Sequence, residues 1–338
     1  MGGAVLLRAD ADASIGVGHV MRCLALAQAL TDAGGRAIFA STALPDSISR
    51  RLEHEHLPVR MICAQPGSAS EAEATARVAR EEMAGRIVVD GYHLGPDYLA
   101  GLHRHGLRVA VIDDHAIACA PYAAVTLNQN IFAPPARPAE GYLSGLRYAL
   151  LRRELRADVT TPRTGHSRRI LITLGGADPD RMTELAIAAC ASIASSLTAA
   201  DVVIGGANPR AEAIEHAVAA HASWARAHRD VLSLAPFLAQ SDVAIVAAGG
   251  TMWEAMHWGV PMITIHRDRV QKRSTDVLMA RGMAIADFDA RTLAAPVLAE
   301  CVREGLADRH RLLSISDAGQ RAVDGLGAAR VAAAVAAM

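Results

Sequence analysis

The sequence lacks an excess of charge of either sign. Its 338 residues include 34 Lys and Arg against 35 Asp and Glu, and nowhere do five basic residues follow one another. Nucleic acids and anionic membranes are bound by surfaces on which positive charge is concentrated. The charge balance therefore argues against nucleic acid as a partner and against stable membrane association, and it favours a small soluble ligand.

Strongly apolar segments are also lacking. Residues 185–200 are uncharged, but Ala and Ser dominate this stretch, which is too short and too weakly apolar to cross a bilayer. The apolar run near the first residue is interrupted by Arg8 and Asp10, which does not fit a signal peptide. We therefore expect a cytoplasmic protein, with a monomer as the expected oligomeric state.

Motifs for metals and common cofactors are missing as well. The five cysteines are scattered without C-x-x-C spacing, which argues against a disulfide framework and a zinc site. Packed thiols are favoured, although the position of Cys23 near a helix start is one that can lower a thiol pKa. No G-K-[ST] P-loop is present, and in "GVGHVM" Met21 replaces the third glycine of the dinucleotide fingerprint. We predict no metal site and no bound cofactor.

Short β-branched runs alternate with helical patterns along the chain. Those in the first half are "AVLLRAD", "RAIFAS", "RIVVDGY" and "LRVAVIDDH", and those in the second half are "ILITLGG", "DVVIGG", "DVAIVAAGG" and "PMITI". This alternation is typical of parallel sheets covered by helices on both faces. The turn-rich segment 157–169 separates the halves. We therefore predict an α/β fold of two Rossmann-like, doubly wound lobes, residues 1–158 and 159–338.

The connection after the first predicted strand contains a histidine in a glycine-rich turn. Gly16 and Gly18 allow a tight turn and close backbone approach at the positive end of the following helix. Ligands of open α/β sheets bind beyond the carboxyl ends of the strands. Since a helix N-terminus disfavours an imidazolium, His19 is expected to be neutral near pH 7 and able to act as a general base. The alternative is a histidine that only caps the turn, but the glycine setting favours catalysis.

A glycine pair also follows a predicted strand in "AIVAAGGTMWEAMHWGVP". The backbone N–H groups of Gly250 and Thr251, at a helix start, could bind a diphosphate. Thr251 is the expected N-cap, and Glu254 lies three residues later, at the spacing of a capping box. From spacing alone, a capping role for Glu254 is favoured over a ribose contact.

The segment "LGGADPD" repeats this strand, glycine and helix pattern. Gly175 and Gly176 form the turn, and either Asp178 or Asp180 is the expected cap of the next helix. A purely structural turn and a phosphate-binding turn are equally supported here.

Carboxylates end two strands of the first half. Asp90 and Tyr92 lie in "VVDGYH", and Asp113 and Asp114 lie in "VIDDH". Side chains of consecutive residues in an extended chain point in opposite directions. We therefore do not expect Asp113 and Asp114 to act together as an acid–base pair.

Seven segments, taken in order, resemble a known family. They are "RADADASIGVGHVMRCLALA", "VVDGYH", "VIDDH", "LNQNI", "LRYALLRREL", "LITLGGADP" and "AAGGTMWEAMHWGVP". Together they resemble the UDP-2,4-diacetamido-2,4,6-trideoxy-β-L-altropyranose hydrolase of bacterial pseudaminic acid biosynthesis. The resemblance runs from Leu6 to about Gly282, and it is specific through the combination of motifs.

This resemblance implies a fold and a reaction. The family is similar to the GT-B glycosyltransferases, whose two Rossmann-like lobes hold a UDP-sugar in the cleft between them, and it needs no metal. The implied reaction is hydrolysis of a UDP-sugar to free sugar and UDP, by attack of water at the anomeric carbon with inversion. By resemblance, His19 positions or deprotonates that water, and Tyr92 helps in the active site. The resemblance also implies that Glu254 holds the uridine ribose instead of capping its helix.

The residues expected to bind the substrate lie at strand ends and glycine turns. They are Asp10, Gly16, Gly18, Arg22, Asp90, Gly175, Gly176, Gly250, Thr251, Glu254 and Gln271. One departure from the family is Val270, which stands where Asn is usual, whereas Gln271 is retained. Two alternatives stay open: a GT-B glycosyltransferase with a UDP-sugar donor, and a nucleotide-sugar binding protein without catalysis.

Overall fold

The computed structural model describes residues 3–12, 15–114, 121–156 and 167–338. Contacts divide the chain into unit 1, Met1–Arg153 with Gly325–Met338, and unit 2, Glu154–Asp324. The expected lobe boundary at residues 158 and 159 lies outside the described residues. At the other end the structure differs from the expected division, because the last residues belong to unit 1.

Unit 1 contains a seven-stranded sheet within the described residues. Its strands are β1 (Ala4–Ala9), β2 (Arg36–Ser41), β3 (Val59–Met61), β4 (Arg86–Asp90), β5 (Arg108–Ile112), β6 (Ala123–Asn128) and β7 (Tyr142–Ser144). Its helices are α1 (Gly18–Asp32), α2 (Asp46–His54), α3 (Ala69–Glu81), α4 (Pro96–Arg104) and, from the end of the chain, α12 (Gly327–Ala337). Short 3₁₀ turns occupy Pro138–Glu140 and Leu146–Tyr148.

The strands of this sheet are parallel, in the order β3-β2-β1-β4-β5-β6-β7. The strand order reverses between β1 and β4, which is the position where doubly wound sheets bind ligands. Ala9 of β1 is level with Asp90 of β4. The connections that leave these two strands therefore begin side by side at the carboxyl edge.

Helix α12 packs on unit 1 because of its apolar face. Ala328, Val331 and Val335 are buried in the same core as Leu24 of α1. A Cβ on Gly327 would come within 2.2 Å of the Ala149 carbonyl oxygen, so the helix start lies directly against that backbone. This packing places the last helix of the chain in unit 1.

Unit 2 contains a six-stranded parallel sheet in the order β10-β9-β8-β11-β12-β13. Its strands are β8 (Arg169–Thr173), β9 (Ala199–Ile204), β10 (Ala225–Arg229), β11 (Val243–Ala247), β12 (Met262–His266) and β13 (Ala286–Asp289). Its helices are α5 (Met182–Ser192), α6 (Ala211–Ala219), α7 (Ala235–Gln240), α8 (Gly250–His257), α9 (Arg269–Ala280), α10 (Ala295–Ala307) and α11 (Arg309–Ala322), and 3₁₀ turns occupy Arg153–Leu155 and Ala194–Ser196.

The order of this second sheet reverses between β8 and β11. Val246 of β11 is level with Thr173 of β8, so the two glycine pairs that follow these strands leave the sheet at neighbouring positions. Both predicted Rossmann-like lobes are thus present as parallel sheets with intervening helices. In the part of the chain that the structure describes, no helix is both long and apolar enough to cross a membrane.

Candidate active site

The turn that carries His19 is built from glycine and one aspartate. Gly16 has φ of +77°, a left-handed conformation that glycine adopts without strain, and its N–H donates to the Asp12 carbonyl at 2.9 Å. The N-cap of α1 is Val17, which makes no side-chain cap hydrogen bond, and the helix starts at Gly18. His19 is therefore the second residue of the helix, next to the positive end of its dipole.

His19 forms a hydrogen bond with a buried carboxylate. Its Nδ1 lies 2.6 Å from Oδ1 of Asp90, and both residues are buried. Because an ionised carboxylate only accepts hydrogen bonds, Nδ1 carries the proton, and the lone pair of a neutral ring is then on Nε2. Among the described residues, Nε2 makes no hydrogen bond. This pairing fixes the tautomer and the direction of the ring that a general base requires.

Asp90 is held ionised by its neighbours. Burial opposes the charged form, but the positive Arg22 and the bond to His19 outweigh it and keep the pKa of Asp90 below its ordinary value. Arg22 binds both carboxylate oxygens, with Nε 2.6 Å from Oδ2 and Nη2 2.7 Å from Oδ1. A fully buried negative charge is thus neutralised by a bidentate guanidinium.

Arg22 also reaches a second carboxylate. Its Nη1 donates to Oδ2 of Asp114 at 2.6 Å. The other oxygen of Asp114 accepts from Nδ2 of Asn130 at 2.8 Å. The guanidinium is therefore engaged by two carboxylates, and their charges raise its pKa further above the ordinary value despite burial. Arg22 therefore links Asp90 to Asp114, and its expected contact with substrate stays a prediction.

Tyr92 places its ring against His19. The ring centroids are 4.8 Å apart with an interplanar angle of 85°, an edge-to-face contact. Its hydroxyl donates to Oδ2 of Asp114 at 3.0 Å, and 52% of the residue surface is exposed. Desolvation and the negative Asp114 raise the pKa of Tyr92, so the phenol keeps its proton at neutral pH. The predicted pair of His19 and Tyr92 is brought together.

Asp10, at the end of β1, lies in a separate buried network. Its Oδ1 accepts the backbone N–H of Thr42 at 2.7 Å, and its Oδ2 accepts from Nη2 of Arg8 at 2.6 Å and from Nε2 of His93 at 3.0 Å. Burial is outweighed by the hydrogen bonds from His93 and Arg8, which hold the pKa of Asp10 well below its ordinary value. Because Asp10 is buried and engaged on both oxygens, the structure gives it a role in holding loops together.

Cys23 is a buried thiol one turn into α1. Desolvation and the nearby Asp90 raise its pKa well above the ordinary value. The possibility of a lowered thiol pKa, which the helix start suggested, is therefore wrong, because Cys23 is buried away from water beside the negative Asp90. Cys190 is buried too, and its pKa is raised to about 12.

The start of α8 differs from the expected cap. Gly249, with an extended backbone, is the N-cap, and no side-chain cap hydrogen bond is made. Thr251 is thus the second helical residue, and the predicted capping box with Glu254 is wrong. A glycine N-cap has no side-chain acceptor, so the N–H groups of Gly250 and Thr251 have no hydrogen-bond acceptor among the described residues. These N–H groups are the ones for which the glycine pair predicts a diphosphate, and that role stays a prediction.

A side-chain cap does occur at α9, although its returning bond reaches the residue before the N-cap and not the N-cap itself. The side chain of Asp268 accepts from the N–H groups of Val270 and Gln271, both at 2.9 Å. In return, Oε1 of Gln271 accepts the N–H of Arg267 at 2.9 Å. Gln271, expected at the substrate, is therefore placed at a helix start with its amide oxygen engaged.

The turn after β8 brings glycines into close backbone contact. Gly175 has φ of +86°, and a Cβ on Gly205 would lie 2.4 Å from the Gly176 carbonyl oxygen. Neither expected residue is the N-cap of α5, which is Arg181, but the Asp178 carboxylate accepts the N–H groups of Met182 and Thr183 at 2.9 Å and so satisfies the helix start from outside. This turn has a clear structural function.

Three residues of unit 1 were not predicted as site residues: Asp114 and Asn130 of the network around Arg22, and His93 of the separate network around Asp10. Each lies at or near the carboxyl end of a strand, which was the available signal, since polar residues at that edge converge in parallel sheets. Asp114 binds Arg22, and the backbone N–H of Asp113 donates to the Leu127 carbonyl at 2.8 Å, whereas the expected divergence of the two carboxylates stays a prediction. Within the described ranges, no group of three or more His, Cys, Asp or Glu is arranged to hold a metal ion.

Curated relatives match the chain at low identity. The spore coat polysaccharide biosynthesis protein SpsG of Bacillus subtilis is 26% identical over 167 residues, 49% of this chain and 49% of SpsG. The uncharacterized protein MJ1062 of Methanocaldococcus jannaschii is 18% identical over 286 residues, 79% of this chain and 56% of that protein. The chain thus spans about half the length of these relatives. None of the known protein-family profiles matches the sequence.

Solved structures match the whole chain. MurG of Acinetobacter baumannii superposes with a TM-score of 0.69 at 17% identity, over 100% of both chains. MnaA of S. aureus, solved with UDP, gives 0.65 at 12% identity over 97% of this chain and 94% of MnaA. CalG4, the calicheamicin glycosyltransferase, superposes with a TM-score of 0.63 at 14% identity, over 99% of this chain and 98% of CalG4. These likenesses confirm the predicted fold: two Rossmann-like lobes of the GT-B class.

Proposed function

We propose that this protein is a nucleotide-sugar enzyme in which His19 removes a proton from the group that attacks the anomeric carbon of a UDP-sugar. The observation that carries this proposal is the 2.6 Å bond between Nδ1 of His19 and the buried Asp90. It leaves Nε2 as the basic atom and gives the imidazolium formed during the reaction a carboxylate partner. A histidine that merely capped its turn would need neither feature.

Unit 2 supplies the nucleotide site in this proposal. The N–H groups of Gly250 and Thr251 at the start of α8 bind the diphosphate, and the fold class contains a protein solved with UDP. Glu254, one turn further along the helix, holds the ribose, as the family resemblance implies. We propose that the nucleoside bound at this site is uridine.

The proposed reaction needs no side-chain acid to protonate the leaving group. The oxygen of the attacking group bonds to the anomeric carbon with inversion while the bond from that carbon to the diphosphate oxygen breaks, and UDP leaves with the electron pair. Nε2 of His19 takes the proton of the attacking group and releases it to solvent. Helix-end N–H groups stabilise the charge that develops on the diphosphate, and we propose that no metal is needed. Chelation with EDTA leaves the rate unchanged if this is right.

The attacking group is either water or an acceptor hydroxyl. A glycosyltransferase among the structural neighbours and a polysaccharide biosynthesis protein among the relatives favour transfer to an acceptor. Water is favoured by the family resemblance, which implies hydrolysis of a UDP-2,4-diacetamido-2,4,6-trideoxy sugar in pseudaminic acid biosynthesis. The same base and the same nucleotide site serve both reactions, so we keep hydrolysis as the second candidate.

The deciding experiment offers a panel of UDP-sugars, including UDP-diacetamido sugars, to the protein in ¹⁸O-labelled water. UDP release without an acceptor, with ¹⁸O in the freshly released sugar and none in UDP, identifies hydrolysis with cleavage at carbon. UDP release that depends on an added acceptor identifies glycosyl transfer. Binding of UDP without release of UDP from any sugar, even with acceptors, would identify a binding protein and end the proposal of catalysis. NMR of the anomeric proton immediately after mixing reports inversion or retention.

A further inference from the structure

Asp114 lies where three side chains of unit 1 meet. Its Oδ2 accepts from Nη1 of Arg22 at 2.6 Å and from the Tyr92 hydroxyl at 3.0 Å, and its Oδ1 accepts from Nδ2 of Asn130 at 2.8 Å. The residue itself is buried, two positions beyond the end of β5. A buried carboxylate with donors on both oxygens has one orientation, and it imposes that orientation on its donors.

Two of these donors are the residues that contact His19. Arg22 approaches the imidazole from one side, with its Nη2 3.2 Å from Nδ1, and it shares Asp90 with the ring. Tyr92 approaches with its ring, 4.8 Å between centroids. The Asp114 carboxylate is therefore bonded both to Arg22, which holds Asp90 in place, and to Tyr92, whose ring packs against His19.

Without Asp114, the side chains of Arg22 and Tyr92 would each lose one of the hydrogen bonds that orient them. Tyr92 is half-exposed, and the His19 contact and the hydroxyl bond to Asp114 are among the interactions that orient it. Arg22 would keep its bonds to Asp90 but lose the charged partner at its third nitrogen. Long side chains retain rotamer freedom unless their ends are bound.

We propose that Asp114 is a positioning residue for His19, acting through Arg22 and Tyr92 to hold the imidazole in its reactive orientation. This inference rests on the proposed function, in which His19 is the base. Asp114 does not contact the reacting atoms in this scheme, and its contribution is the fixed geometry of its two donors.

The test is a double-mutant cycle of Asp114→Asn and Tyr92→Phe in the full chain, with turnover of the active UDP-sugar as the readout. Asp114→Asn should lower kcat by roughly 10- to 100-fold, because misplacing a catalytic group by about 1 Å costs on the order of 10²-fold. KM and the Kd for UDP should stay within about twofold. Because both variants affect the same hydrogen bond, between Asp114 and Tyr92, the double variant should be little slower than Asp114→Asn alone.

A pH profile separates positioning from a general loss of structure. Removing the negative charge of Asp114 disfavours the nearby imidazolium, so the acid limb of kcat against pH should move to lower pH in Asp114→Asn. The groups that face His19 are Asp90, Arg22 and Tyr92, and none of these three residues is itself replaced in this variant. Asp97→Asn, an exposed aspartate in the first turn of α4, is the matched control and should have the wild-type kcat and profile.

Several outcomes would overturn the inference. Wild-type kcat and pH profile in Asp114→Asn would remove Asp114 from the role, provided that His19→Ala is inactive in the same assay. Fully multiplicative effects in the cycle would show that Asp114 and Tyr92 act separately. If Asp114→Asn fails to fold, Tyr92→Phe carries the test, and an unchanged kcat in that variant would end the proposal. Normal turnover in His19→Ala would instead end the proposed function.

Discussion

Nε2 of His93 lies 3.0 Å from Oδ2 of Asp10, so the loop that follows β4 is bound to the end of β1. The opposite connection is made by His19, which follows β1 and binds Asp90 at the end of β4. Each loop at the point of strand reversal thus binds the neighbouring strand through a histidine and an aspartate. The proposed base is therefore held between two loops that are joined by these two crossed pairs.

Replacing His93 by Ala should cost about 1 to 2 kcal/mol of unfolding free energy, since one hydrogen bond to a charged group is lost at a partly exposed site. Asp10→Asn should cost more, about 3 kcal/mol or above, because it weakens the partner of the fully buried Arg8. Urea unfolding followed by circular dichroism measures both. Equal losses in the two variants would contradict the network that we describe.

His19→Ala should reduce turnover by roughly 10²- to 10⁴-fold, the usual contribution of a general base, without a change in UDP affinity. The reason is that His19 belongs to unit 1, whereas the proposed nucleotide-binding residues belong to unit 2. Steady-state kinetics and calorimetric titration with UDP check the two halves of this statement. His105→Ala, an exposed histidine of unit 1, should behave as wild type, and a similar drop there would point to a general effect.

Asp90→Asn should abolish most turnover while nearly preserving shape. An amide can donate to Nδ1 of His19, which moves the ring proton to Nε2 and removes the basic lone pair. We expect a loss of roughly 10²-fold or more, with an unfolding free energy lower by about 3 to 5 kcal/mol because the buried Arg22 loses a charged partner. Kinetics at a temperature where the variant is folded, with ¹⁵N NMR of the imidazole, test the tautomer directly. An unchanged Nδ1–H tautomer would refute the explanation.

Acid should destabilise unit 1 through Asp10 and Asp90. The pKa of each is held below its ordinary value in the folded protein, so between that folded value and about 3.9 the unfolded chain binds more protons. Stability therefore rises with pH in this range: the contribution is complete above roughly pH 5 and is lost as the pH falls. Urea midpoints between pH 3 and pH 7 measure it, and Asp90→Asn should show a shallower dependence. If the urea midpoint of the wild type did not change with pH, or rose toward pH 3, this prediction would be contradicted.

Gly250→Ala should separate folding from nucleotide binding. A Cβ at this position meets no atom within 4 Å, and the backbone is not left-handed, so stability should stay the same or rise by about 0.4 to 1 kcal/mol. UDP affinity should fall at least about tenfold, because the methyl group would stand where the diphosphate approaches the backbone. Thermal unfolding and UDP titration check this. Gly85→Ala, with equally open surroundings in an exposed loop of unit 1, is the control, and unaltered UDP binding in Gly250→Ala would move the diphosphate site elsewhere.

The central strands could be predicted from the sequence, whereas the edges of the sheets could not. The runs that form β1, β4, β8 and β11 are apolar and β-branched because both faces of these strands are covered. β3 and β7 have three residues each, and such short segments carry no detectable period. The return of α12 to unit 1 also left no local signal, since its Ala-rich apolar face would fit against either core.

The proposed site shows the same division. His19, Tyr92 and Asp90 were placed correctly at one sheet edge because the strand ends and the glycine turn are local features. The hydrogen-bond partners of these residues could not be predicted, because the pairing of His19 with Asp90 depends on β1 and β4 being neighbours in the sheet. The cap of α8 was missed because Thr251 matches the residue preference of an N-cap, whereas the extended backbone of Gly249 decides it.

The chain order of the two units has a consequence for biosynthesis. Unit 2 is one continuous segment, whereas unit 1 includes α12, which is made only after the whole of unit 2. The apolar side of α1 is therefore completed only after Val331 and Val335 have been made and have packed on it. A chain that stopped at Asp324 would contain the whole of unit 2 and would leave part of the unit 1 core uncovered.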